Sequence, residues 1–197
     1  MMLSGIEIQK RMRPSFWQRV KFLLTKNRKF GQPDIVIRPF DKKYCGPNSY
    51  DVHLYNKLLF YKPGVELPPK NDDATTEITI PPGGIVLQPG DFCLGSIEEY
   101  LETFNLFFRI EGRSSVGRMG ISIHSAAGSG DIGYCGRITL NIKNLSNNPV
   151  RLMPGMKIGQ LHYETVSKNH KPYDGKYKGQ TGATASRLYK DIENGTM

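Results

Sequence analysis

Cysteine is scarce in this 197-residue chain: Cys45, Cys93 and Cys135 stand far apart, and no two form a CxxC pair. That argues against a disulfide framework and a structural zinc site, and it leads us to expect reduced thiols in a cytoplasmic protein. Long apolar runs are also missing, so no segment is expected to span a bilayer. The first ten residues lack the apolar stretch of a secretory signal. There is no GxSxG elbow, no Walker loop and no paired-cysteine zinc signature, which removes three common hydrolytic classes. Acid is under-represented. Lys and Arg number 27 against 18 Asp and Glu, a formal charge of +9. Such an excess points to a polyanionic partner without choosing among nucleic acid, membrane surface and nucleotide phosphates.

What is present suits one folded domain with appendages. The hydrophobic content of 38% and aromatic content of 10% are enough for a real core. Ser4 and Glu7 form a capping-box pattern that predicts a short helix through Met12. Over 14–32 the residues Phe16, Trp17, Val20, Leu23 and Leu24 fall at helical spacing among Arg19, Lys21, Lys26 and Arg28. We read 13–33 as a basic, helical insertion packed on the body, with a nucleic-acid-binding arm kept as an alternative and no membrane partner expected.

From Asp34 the pattern changes to short strands between turns rich in Gly, Pro, Asn and Asp. Expected strands are 35–38, 49–54, 57–61, 77–80, 85–87, 92–96, 106–111, 121–124, 138–144, 150–152 and 157–163. A second capping-box pattern at Ser96 and Glu99 predicts a helical turn. Strands so short and frequent indicate an all-β barrel or jelly roll. Residues 1–166 would form this β domain, and the Lys- and Gly-rich stretch 167–197 a mobile tail.

Three segments carry chemistry. Arg113-Ser114-Ser115-Val116-Gly117-Arg118 offers two guanidiniums, two hydroxyls and a glycine-loosened backbone, a good phosphate cradle, although an ordinary surface loop can have this composition. The glycine-rich run 128–134 presents Asp131 and Tyr134: a general base or sugar contact and a stacking ring, or equally a hairpin turn with an Asx cap. The tail has Tyr173, Lys176, Gln180 and Arg187, which can close over phosphates as a lid or stay solvated. His124 has no second ligand at metal-binding spacing and reads as structural or phosphate-proximal.

Taken in order, these segments together with GPNSYD at 46–51, LQPGDF at 87–92 and PGMKIGQL at 154–161 form one pattern. The chain resembles the dCTP deaminase family within the dUTPase superfamily, over roughly four-fifths of its length by this motif reading. The resemblance implies a mainly β, distorted jelly-roll (β-clip) fold with a few short helices. It also implies a homotrimer with active sites between subunits, and a nucleoside triphosphate carrying Mg²⁺ with no direct protein ligand to the metal. By the same resemblance, Arg113, Ser114, Ser115, Val116, Gly117 and Arg118 hold the phosphates, and Ala127 helps hold a water through its main chain. Asp131 and Tyr134 face the deoxyribose, and Thr139, Leu140 and Asn141 read the pyrimidine edge. Tyr173, Lys176 and Gln180 close the tail over the nucleotide.

Asn141 departs from that pattern, since family deaminases have a glutamate there that shuttles protons. A carboxamide has no proton to exchange near neutral pH. Ala126 replaces a common Thr, and Gly130 and Ile132 replace an Ile and a Pro. With Asp131, Tyr134, Ser114 and Arg118 intact, the expectation is a pyrophosphohydrolase converting dUTP, with dCTP as a second substrate, to the monophosphate, Asp131 activating the water. A dCTP deaminase releasing dUTP and ammonia is the alternative. A catalytically silent nucleotide-binding regulator is a third reading.

Overall fold

The computed structural model describes residues 1–13, 15–25, 33–68, 72–126, 128–167 and 171–195. It is mainly β, built from antiparallel ladders. A five-stranded sheet runs Thr75–Thr79, Lys57–Tyr61, Phe92–Ser96, Thr139–Asn144, Ile121–Ser122. A four-stranded sheet runs Ser129–Gly130, Leu106–Gly112, Lys157–Thr165, Tyr50–His53. Three strands, Ile35–Arg38, Tyr100–Thr103 and Cys135–Gly136, form a third sheet, and Val150–Leu152 pairs with Ile85–Leu87. Helices are short: α1 (Gly5–Arg11), α2 (Phe16–Thr25), α3 (Ser114–Gly117) and α4 (Tyr189–Glu193).

Alternation explains the strands. In Leu106–Gly112 the residues Leu106, Phe108 and Ile110 point inward, and in Lys157–Thr165 the residues Ile158, Leu161 and Tyr163 do so. Their side chains meet Tyr50, Val52, Ile35 and Ile37 in one core. Asn144 is fully buried but satisfied: it donates to the carbonyls of Leu87 (3.0 Å) and Asn148 (2.8 Å) and accepts from the Ser146 N–H (3.0 Å).

At the N-terminus, Ser4 Oγ accepts from the Glu7 N–H, as the capping box requires. Buried Asp34 is the hub of that end. Arg11 (2.7 Å), Gln18 (3.1 Å) and Asn105 (2.8 Å) all donate to its carboxylate.

One expectation needs correcting, and one strand lies outside those expected. The Ser96–Glu99 turn is not helical, because Glu99 is recruited elsewhere: its carboxylate takes the His53 N–H at 3.1 Å and contacts His53 Nδ1 at 2.6 Å. The strand Tyr100–Thr103, which was not anticipated, follows at once and pairs with Ile35–Arg38. All three cysteines are free, and among the described residues no helix is long and apolar enough to cross a membrane.

Candidate active site

The site is built outward from Thr139–Asn144. Leu140, Ile142 and Asn144 face the core, so Thr139 and Asn141 turn to the other side. That side lines a cavity of about 480 Å³. Leu94, Phe108 and Ile138 supply apolar walls, while Asp131, Thr139, Asn141 and Gln180 supply polar groups. An apolar slot with a few convergent hydrogen-bonding groups suits a planar base.

Asp131 reaches the cavity from a tightly constrained turn. Ser129–Gly130 pairs with Leu106–Gly112, and a methyl group on Gly130 would lie 1.9 Å from the Phe108 ring. Gly133 has φ of +87°, and a Cβ there would come within 2.8 Å of Pro172 in the tail. The Asp131 carbonyl accepts from Thr103 Oγ1 and from the Tyr134 N–H, each at 3.1 Å. Its main chain is therefore held while its exposed side chain lines the cavity.

Tyr134 is 8% exposed. Its ring packs edge-on to Phe108 with centroids 5.7 Å apart and lies 6.2 Å from the Tyr173 ring. The hydroxyl donates to the Arg137 carbonyl at 2.9 Å and accepts from Gln180 Nε2 at 3.0 Å. Burial lifts its pKa well above the ordinary phenol range, so it stays neutral. The ring expected to stack on a sugar already has two aromatic neighbours.

The tail is docked on this turn. Tyr173 N–H donates to the Ile132 carbonyl at 2.6 Å, and Gln180 forms a parallel bridge with Gly136. The Thr184 N–H donates to Thr139 Oγ1 at 3.1 Å, and the Ser186 N–H to the Tyr61 hydroxyl at 3.1 Å. Tyr173 and Gln180 line the cavity. Lys176 does not. Its ammonium pairs with Asp191 in α4.

The residues expected to cradle phosphate lie elsewhere in the chain. Arg113 occupies the N-cap position of the one-turn helix α3 without a side-chain capping bond, and Ser114, Ser115, Gly117 and Arg118 are exposed while Val116 is buried. None of these lines the cavity. Val116 and Leu140 have their side chains in the core, so each can offer a nucleotide only its main chain. Arg113 pairs with Asp51, which also meets Lys157 Nζ and Gln160 Nε2 at 3.1 Å each. Burial alone would raise the Asp51 pKa, but the hydrogen bonds from Lys157 and Gln160 and the Arg113 charge together hold it below the carboxylate value of 3.8. Ala127 lies outside the described residues.

Several lining residues escaped the sequence reading: Tyr61, Phe108 and Thr184. Their types carry no special chemistry, and only their meeting in space reveals them. Asp51 sat within a recognised motif, yet its role as the partner of Arg113 was not readable there.

With this geometry in place, the comparisons are decisive for the family. A model described as "DCD: dCTP deaminase-like" matches residues 24–166. The chain belongs to the dCTP deaminase-like family. A relative from Cytophaga hutchinsonii, named "dCTP deaminase, dUMP-forming", is 42% identical over 161 residues, covering 81% of this chain and 91% of its own. One of the same name from Hathewaya histolytica is 39% identical over 194 residues, covering 98% and 100%. Among solved structures, the Agrobacterium tumefaciens 2'-deoxycytidine 5'-triphosphate deaminase matches with a TM-score of 0.57 at 18% identity, over 84% of this chain. This chain spans about half (48%) of that one, and the likeness supports a shared β fold alone.

These relatives correct one expectation. The departure at Asn141 pointed to a dUTP-directed pyrophosphohydrolase, whereas dCTP deaminase-like relatives at 39–42% identity are named dUMP-forming dCTP deaminases. The spacing of Asp131 and Tyr134, which carried that expectation, does not discriminate. A turn that serves water attack on a phosphate is equally needed by an enzyme whose product is a monophosphate.

Proposed function

We propose that this protein converts dCTP and two waters to dUMP, ammonia and pyrophosphate. One observation carries the reading: groups able to meet a pyrimidine edge, Thr139 and Asn141, share a cavity with the Asp131 carboxylate in a chain about 40% identical to named dUMP-forming dCTP deaminases. In this reading Asn141 holds the ring edge through its amide donor and carbonyl acceptor. Asp131 is the one carboxylate among the described lining residues, so it takes the proton from the attacking water. Water adds to the amine-bearing ring carbon, the proton held on Asp131 passes to the departing amine and ammonia leaves; a second water then attacks phosphorus, breaking its bond to the pyrophosphate leaving group.

The phosphates would lie on Arg113, Ser114, Ser115 and Arg118 of a second copy, because these residues do not line the cavity of their own protomer. A homotrimer with sites between subunits supplies that arrangement, and 167–197 acts as the lid. In this reading a hard cation is carried in on the triphosphate oxygens and takes no protein side chain as a ligand. Bound there, Mg²⁺ supplies charge neutralisation across the phosphate oxygens. The free thiols suit the reducing cytoplasm.

The test is incubation with dCTP and Mg²⁺, followed by separation of nucleotides and measurement of ammonia. Equal amounts of dUMP and ammonia, both lost in Asp131→Ala, are expected. Accumulation of dCMP without ammonia would overturn the deamination step. Accumulation of dUTP would overturn the pyrophosphate step. Asn141 itself favours a second reading, a protein that binds dCTP without turning it over, and saturable binding with no product would establish that instead.

A further inference from the structure

Helix α2 is docked inside out. At 100° per residue, Phe16, Trp17, Val20, Leu23 and Leu24 fall within an arc of about 120°. An apolar stripe of this kind normally faces the core. Here the opposite side faces the body: Gln18 donates to buried Asp34 at 3.1 Å, and its side-chain carbonyl caps the Ser15 N–H. The stripe looks outward, with Phe16 71%, Trp17 70%, Leu23 63% and Leu24 79% exposed. Phe16 and Trp17 pack edge to face on each other, 5.5 Å between centroids. Arg19 and Lys21 project on either side of the stripe, and Arg13 sits just ahead of the helix. No acidic residue occurs between Glu7 and Asp34. Most of α2 also precedes residues 24–166, the part matched to the family.

We propose that α2 docks the protein on an anionic lipid surface, its stripe lying in the interfacial plane. Charge complementarity selects this occupant. The covering surface must take aromatic and Leu side chains in the middle and cations at both edges, which is how an interfacial helix meets acidic headgroups. A second copy of the same helix would bring cations against cations. Nucleic acid would satisfy the cations and leave Leu23 and Leu24 in water. The bilayer satisfies both, and Asp34 keeps the helix oriented for it.

Trp17 is the single tryptophan of the chain, so its fluorescence reports on this helix alone. The full-length protein is mixed with vesicles of equal parts phosphatidylcholine and phosphatidylglycerol, or with phosphatidylcholine alone. Expected are a blue shift of Trp17 and co-flotation with the anionic vesicles only, both weakened by salt. Leu23→Glu combined with Leu24→Glu should reduce partitioning roughly tenfold or more, and Arg19→Glu should reduce it as well, with melting and dCTP binding unchanged in each. Absence of any shift on anionic vesicles overturns the proposal. So does a shift that grows with protein concentration in buffer alone, which would assign the face to a second copy. A response to duplex DNA but not to vesicles overturns it in favour of nucleic acid.

Discussion

The Gln180 amide donates to the Tyr134 hydroxyl at 3.0 Å, tying the C-terminal tail to the turn that presents Asp131. A second bond from the same nitrogen, to the Arg137 carbonyl at 2.5 Å, doubles the tie. Tail position and Asp131 position are thereby coupled through one buried phenol.

Tyr134→Phe keeps the ring between Phe108 and Tyr173 and removes only the hydroxyl. Gln180→Ala removes both bonds. Both variants should expose the tail to limited proteolysis and raise KM for dCTP, about tenfold for Gln180→Ala, with a smaller effect for Tyr134→Phe. Steady-state kinetics and the rate of tail cleavage check this, and equal protease resistance in all three proteins would contradict the coupling.

Gly130→Ala places a methyl group against the Phe108 ring, where 1.9 Å is available. The ring is buried and cannot swing into solvent. Denaturant unfolding should show a loss of about 1–3 kcal/mol, and dCTP turnover should fall further than stability does, because the displaced turn also carries Asp131.

Asn141→Glu restores a proton-exchanging group on the strand facing the cavity. If the chain turns dCTP over with Asn141 in place, ammonia release should rise by roughly 10²-fold or more, the usual contribution of a positioned acid–base group. A rate unchanged within error, with dCTP still bound, would mean that proton transfer does not limit this enzyme.

Asp51 predicts an acid-sensitive contribution to stability. Its folded pKa lies below 3.8, so folding favours the ionised form. The contribution is fully present above 3.8 and is lost as pH falls through the lower folded value. Asp51→Asn should therefore be less stable than the wild type at neutral pH, and the gap should close in acid below 3.8. Urea unfolding at the two pH values measures it.

The fold class was legible because period-two alternation, punctuated by Gly and Pro, is a local property of the chain. The strand over 106–111 was legible before any contact was known, and so was the capping of α1 by Ser4. The Ser96–Glu99 pattern misled because a capping glutamate is local only until a distant partner competes for it, and His53 does. At the site, residue types with distinctive chemistry could be singled out from sequence: Asp131, Asn141, and the Arg113 and Arg118 loop. Tyr61 and Thr184 could not, since ordinary side chains acquire a role only by position.

By itself, then, the sequence determined most of the strand positions, the family pattern and the substitution at Asn141, all carried by neighbours along the chain. Only the tertiary structure decided which groups share a space. It put Thr139, Asn141 and Asp131 around one cavity and left the Arg113 loop outside it, beside Asp51. It also turned the apolar stripe of α2 outward, because the hydrogen bond from Gln18 to Asp34 orients the helix by its polar side. Helical periodicity specifies that a stripe exists, and only long-range contacts specify where it points.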